Sequence, residues 1–108
     1  MMLKISINRR ALAHIKNGSK KYEIRQKKGI FNNLENNQLI KLYNGHDYAI
    51  KTINQVIEAN TLDELFSMVD FDICTPYFND KLSAINHIHK FYSKKSILSN
   101  KFIALNLT

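Results

Sequence analysis

The sequence predicts an α+β fold, a small curled sheet or barrel of about five or six strands flanked by three helices. Three observations predict it. The apolar pattern switches repeatedly between a period of two and a period near 3.6. An Asn-Gly pair, Asn44-Gly45, stands between two apolar runs and marks a hairpin. The 108 residues, 44% hydrophobic and 23% charged, make a single domain, residues 1–108, whose core needs no disulfide or metal.

Leu3, Ile5 and Ile7 alternate with Lys4 and Ser6, as a strand with one face on the core does. Asn8 offers a helix cap, Leu12 and Ile15 share a side of the segment Arg9 to Lys16, and Asn17-Gly18 stops it. Lys20 to Arg25 alternates again, with Tyr22 and Ile24 facing one way and Lys21, Glu23 and Arg25 the other. After an Asn-rich loop, Leu39 to Tyr43 and Tyr48 to Ile53 form the two arms of the hairpin, in which Asn44 and Gly45 both tolerate positive φ.

Thr61-Leu62-Asp63-Glu64 fits a capping box, and Leu62, Leu65, Phe66 and Val69 follow at helical spacing. Pro76 breaks the chain, Asn79 or Asp80 caps a third helix, and Leu82, Ile85, Ile88 and Phe91 or Tyr92 form its apolar stripe. Lys101 to Leu107 reads as a mostly buried closing strand.

Several function classes drop out. No apolar run reaches membrane-spanning length, and the alternating start lacks the apolar region of a secretory signal, so a cytoplasmic protein with no membrane partner is expected. The lone Cys74 excludes an internal disulfide and reads as a small buried hydrophobe. His87 and His89, two apart on a helix, point to different faces, and no Gly-rich phosphate loop or zinc signature is present; no metal and no cofactor are expected.

The net charge of +7 invites a nucleic-acid reading, although a chain rich in Lys, Asn and Ile acquires part of that charge from codon composition. Its distribution is more telling. Residues 1–28 carry nine basic side chains against Glu23 alone, whereas residues 55–80 carry six acids and no base. An electrostatic footprint needs such clustering.

The motif of interest lies in the basic segment, where a helix ends at Gly18 and a strand bearing Lys, Glu and Arg begins at once. On composition alone, Lys21, Glu23 and Arg25 form a solvated face with charge pairs of about tenths of a kcal/mol. Gly18-Ser19-Lys20-Lys21-Tyr22-Glu23-Ile24-Arg25, however, resembles the Gly-x-Lys-x-x-Glu-x-Arg motif of ASCH domains, small members of the PUA-like superfamily. The order of elements agrees over nearly the whole chain, down to a helix ending in Phe91-Tyr92 and a closing strand Phe102-Ile103-Ala104-Leu105. Two turns depart from the resembled pattern. Asn37-Gln38 stands where such domains have Gly-Asp, and Asn100-Lys101 where they have Tyr-Gly, so both turns are expected to be remodelled.

The resemblance implies a PUA-like β-barrel with a cleft beside Gly18, Lys20, Glu23 and Arg25 that suits RNA or a modified nucleoside. In that reading Lys20, Lys21, Arg25, Lys27 and Lys28, with Arg9, Arg10 and Lys16 of the preceding helix, meet phosphates. Tyr22 or Tyr43 stacks on a base where exposed, while the parity of Tyr22 with Ile24 places it in the core. The resemblance also implies an alternative, an amidohydrolase that deacetylates acetylcytidine or a related amide. There Lys20 serves as base, Glu23 stands where active relatives have Thr, and Asp70 or Asp72 would supply a further acid. Lys20 and Glu23, three apart, converge only if Lys20 lies in the loop or a bulge intervenes. A third reading makes the acidic block from Glu58 to Asp80 a docking surface for a basic partner or a second copy, in a chain expected to be a monomer or weak homodimer.

Overall fold

A computed structural model describes the whole chain, Met1 to Thr108. Five strands form one sheet: β1 (Leu3–Ser6), β2 (Tyr22–Gln26), β3 (Gln38–Asn44), β4 (Asp47–Ala59) and β5 (Phe102–Leu107). Five helices accompany it: α1 (Arg9–Lys16), α2 (Leu62–Met68), α3 (Phe71–Cys74), α4 (Lys81–His89) and α5 (Lys94–Ser99). The order across the sheet is β1-β3-β4-β5-β2, with β1 parallel to β3 and the other neighbours antiparallel. The α+β architecture is the expected one, realised as a curled half-barrel with five strands, its edges formed by β1 and β2. The short α3 and α5 add to the three expected helices.

The curl originates in β4, which runs to Ala59 and so extends well beyond the expected end at Ile53. Its first half pairs with β3 and its second with β5; Ile53 alone pairs with both, and the register slips between Ile53 and Gln55. An extra residue there bends and twists the strand.

β5 is buried on both faces. Ile103, Leu105 and Leu107 join Leu12 and Ile15 of α1 and the apolar residues of β1 and β3 in one core. Phe102 and Ala104 join Leu62, Leu65 and Phe66 of α2 and Ile85 and Ile88 of α4 in the other. Helices thus cover the sheet from two sides, which explains why the last strand reads as a continuous apolar run.

Local signals act as read, with adjustments. Asn8, Thr61 and Asp80 cap α1, α2 and α4, accepting from Ala11 N at 2.7 Å, Glu64 N at 3.1 Å and Ser83 N at 2.8 Å. In the hairpin only Gly45 takes positive φ, at 60°; Asn44 pairs with Asp47 inside the ladder, and its amide donates to Ile7 O at 2.8 Å. Glycine at the first of two loop positions is the requirement of a type II′ turn. At the remodelled turn before β3, Asn37 itself adopts φ 57°. Asparagine tolerates this left-handed backbone, so a turn there forms without glycine.

The stripe on α4 holds at Ile85, Ile88 and Tyr92 and departs from expectation at Leu82 and Phe91. Leu82 is 66% exposed and Phe91, past the helix end, is 68% exposed, while Ala84 is fully buried beside Ile85 and Ile88. The small side chain lets the helix rest close against its neighbours in the core it shares with α2.

Cys74 is fully enclosed, and burial pushes its thiol up to about 12. The native protein is therefore expected to resist thiol-specific alkylation at neutral pH and to react once unfolded in urea. Rapid labelling of the native chain, followed by mass spectrometry, would contradict this packing.

Candidate functional site

The two edge strands of the half-barrel face each other across a gap, and Arg25 of β2 spans it by donating from Nη2 to Ser6 O of β1 at 3.1 Å. A cleft of about 470 Å³ lies at this bridge. The end of β1 and start of α1 form one wall with Ser6, Asn8 and Ala11. The floor is Lys20, Glu23 and Arg25, and the far wall is Thr75, Tyr77, His87, Phe91 and Tyr92.

Local chain geometry assembles the floor. Gly18, at φ 86°, takes the left-handed conformation that ends α1. The next residues turn back, Lys20 N donating to His14 O at 2.9 Å, and β2 begins at Tyr22, two residues later than the alternation suggests. Lys20 consequently lies in the loop, the condition under which residues 20 and 23 can converge. Its Nζ sits 3.2 Å from Glu23 Oε1, and Arg25 Nε donates to Glu23 Oε2 at 2.8 Å.

Lys20 and Glu23 are buried, at 4% and 7% exposure, so the solvated charged face expected from composition is instead a buried ion cluster. The Lys20 ammonium also donates to Tyr22 O at 2.7 Å and to Cys74 O. Its three N–H groups are thereby matched by three acceptors, and it clips the start of β2 to the end of α3, 54 residues away. Burial is the largest influence on the Glu23 carboxyl and pushes it up; Lys20 and Arg25 together outweigh it and hold the group below its ordinary value of 4.5. Two cations share one anion, so the floor keeps a net positive charge.

A run of rings passes through the far wall, of which Tyr77, His87 and Phe91 line the cleft and His14 and Phe78 do not. His14 and Tyr77 lie 5.5 Å apart between centroids, Tyr77 and Phe78 5.3 Å, Phe78 and His87 4.8 Å, and His87 and Phe91 5.2 Å. The Arg10 guanidinium stacks over Tyr77 at 4.3 Å from the ring centroid. Burial, then the charge of Glu23, pushes the Tyr77 phenol up to about 12, so it stays a neutral donor. Burial, then Arg10 and Lys90, hold His87 below its ordinary value, and it faces the cleft as a neutral ring at pH 7. His89 packs on the other side, 6.2 Å from Phe102. No group of three His, Cys, Asp or Glu side chains converges on one point.

The structure gathers only part of the basic segment at the cleft. Lys20 and Arg25 line it, Arg10 borders it through Tyr77, and Lys28 lines an adjoining hollow. Lys16 pairs with Asp47 at the hairpin, and Lys27 with Glu58 at 2.7 Å. Lys101 joins the same carboxylate at 3.1 Å, and Lys81 meets Asp63 at 3.3 Å. Of these pairs only that of Lys27 with Glu58 joins the basic block of residues 1–28 to the acidic block of residues 55–80, which otherwise meets Lys81 and Lys101 from the last stretch of the chain. Arg9 and Lys21 are exposed and line neither hollow, and Asp70 and Asp72 lie outside the cleft wall. Tyr22 is half-buried against the second core and accepts from Asn106 Nδ2 at 2.9 Å; Tyr43, on β3, is likewise half-buried and away from the cleft. Tyr77, His87, Phe91 and Tyr92 were not legible as site residues. The one signal was a pair of aromatics directly after Thr75-Pro76.

No family model matches the sequence, and no curated protein does so either. The fold is similar to that of solved structures. The hypothetical protein PH0355 superposes with a TM-score of 0.90 at 14% identity, over 99% of this chain and 97% of that one. Protein PF0455 from Pyrococcus furiosus does so at 0.81 and 16% identity, over 99% and 96%. The ASCH protein from Zymomonas mobilis gives 0.67 at 13% identity, with 99% of this chain covering 66% of that one.

Proposed function

We infer that this chain, ASCH-like in fold, is a binding module that seats a nucleobase, standard or modified, in the cleft between its edge strands, with RNA as the carrier. The observation that carries this reading is the pairing of a polar, net positive floor with a wall of rings. Aromatic faces accept any base by stacking, and a carboxylate beside a guanidinium offers an acceptor and donors to a base edge. A cleft of about 470 Å³ falls in the range of small-ligand sites. All the groups come from one chain, so no second copy is needed.

The amidohydrolase reading has less support. Lys20 reaches the cleft floor, yet each of its N–H groups is committed to an acceptor. Both oxygens of Glu23 are engaged by cations, which leaves lone pairs to accept from a base edge but disfavours its taking up a proton. Of the two residues with aliphatic hydroxyls that line the cleft, Ser6 and Thr75, the Thr75 hydroxyl donates to Phe71 O at 3.0 Å. The cluster has the character of a scaffold for a polar surface.

A salt titration tests the binding reading. With a short mixed-sequence single-stranded RNA, log affinity is expected to fall with log salt at a slope of about −1 to −2, the value for roughly two phosphates at about −0.7 each. So shallow a slope follows from how few cations near the cleft remain without a carboxylate. Affinity that does not change with salt would sink the proposal.

A further inference from the structure

Arg25 and Tyr92 line the main cleft and also a second hollow of about 310 Å³, so the two are compartments of one groove separated by a saddle. Beyond the saddle the lining is Gln26, Lys28, Ile30 and Phe31. The two compartments differ in chemistry. The main cleft holds Glu23, whereas the second has no carboxylate.

Lys28 is in no ion pair, in contrast to its neighbour Lys27, which Glu58 neutralises. Its Nζ lies 5.7 Å from the centroid of the Tyr92 ring and donates to Ser96 Oγ at 3.2 Å, which holds the charge at the hollow. Ile30 is 55% exposed there, with Phe31 half-buried beside it. At the saddle, Arg25 spends Nε on Glu23 and Nη2 on Ser6 O, and a guanidinium has five N–H donors, so others stay free. An apolar surface next to an unpaired cation, joined to a base-sized cleft by a guanidinium, matches the repeat of a nucleic-acid strand: base, phosphate, base.

We propose that the second hollow takes the nucleotide adjoining the one whose base fills the main cleft, so that the ligand is single-stranded RNA read over two consecutive nucleotides. Arg25 meets the linking phosphate, Lys28 the next one, and Ile30 and Phe31 the second base. This rests on the reading of the main cleft as a nucleobase site.

The test compares the four ribonucleosides and acetylcytidine with the full set of ribodinucleotides bearing a 5′-phosphate, by calorimetry and by amide shifts in NMR. The best dinucleotide is expected to bind about tenfold or more tighter than its tighter-binding nucleoside, an increment of about 1.4 kcal/mol. It should shift the amides of Ile30 and Phe31, which the nucleoside leaves in place. Lys28→Ala should weaken the dinucleotide by about fivefold more than the nucleoside. Equal affinities for nucleoside and dinucleotide, with Ile30 and Phe31 unmoved, would overturn the second compartment and spare the first. If no compound of either set binds, the nucleobase reading falls and this inference with it.

Discussion

Glu23→Gln is expected to cost about 3 to 5 kcal/mol of folding stability, a large share of what a domain of this size possesses. The substitution keeps the shape, so no cavity opens. It removes the one anion between two cations; the amide keeps a single acceptor oxygen and turns its NH2 toward the other cation, so Lys20 and Arg25 cannot both keep a partner there and neither charge is balanced. Lys20→Met is expected to cost less, because Glu23 retains Arg25, although the carbonyls of Tyr22 and Cys74 lose their donor. The double variant should cost less than the two single costs added, since each single change strands the partner that the double removes. Urea unfolding measures all three. If Glu23→Gln lies within about 1 kcal/mol of the parent, the cluster is solvated and its burial has been misread.

The same substitution carries a pH signature. The Glu23 carboxyl lies below 4.5 in the folded chain, so its contribution to stability is complete above that value and is lost as pH falls through the lower folded one. Asp47, Glu58 and Asp80 are lowered too, by hydrogen bonds to Lys16, to Lys27 and to Ser83 N respectively, so the parent loses stability in acid for several reasons. The difference between parent and Glu23→Gln isolates one of them. It should shrink below pH 4.5 and stay level above it. A difference that grows on acidification would contradict the lowered carboxyl.

Phe91→Ala is the second large effect, and it should fall on binding alone. Phe91 is 68% exposed at the rim of the cleft, edge-on to His87 at 5.2 Å. Removing it is expected to raise the dissociation constant for single-stranded RNA by about 5- to 150-fold, the 1 to 3 kcal/mol of a base stacked on a ring. Folding stability should stay within about 0.5 kcal/mol of the parent. Phe91→Tyr should restore binding, and Leu98→Ala, on α5 at 81% exposure, serves as a control outside the groove. Fluorescence anisotropy and a thermal melt provide both numbers. Parent-like affinity in Phe91→Ala would show that the ring wall does not face the base.

Much of the fold was legible because its signals are local. The caps at Asn8, Thr61 and Asp80, the glycine stop at Gly18 and the arms of the hairpin depend on residues within a few positions of one another. The bulge after Ile53 was not legible, because Asn54, Gln55 and Val56 are all exposed and no alternation continues into the second half of β4. On α4 the expected stripe holds at Ile85, Ile88 and Tyr92 but not at its start, where close packing buries the small Ala84 and leaves Leu82 in solvent.

For the site, the sequence by itself determined that Lys20, Glu23 and Arg25 stand together after a glycine turn, and that basic and acidic residues occupy separate stretches of the chain. Tertiary structure alone decided what those charges are worth. Lys27 meets Glu58 across 31 positions and loses its force, Lys28 beside it meets no carboxylate and keeps its own, and Lys20 reaches the carbonyl of Cys74 and becomes part of the scaffold. The rings of Tyr77, His87 and Phe91 are brought opposite the motif by the packing of α4 and the loop before it. The reason is physical: periodicity and turn chemistry act between neighbours along the chain, while burial and Coulomb energy depend on distances through space that only the folded chain sets.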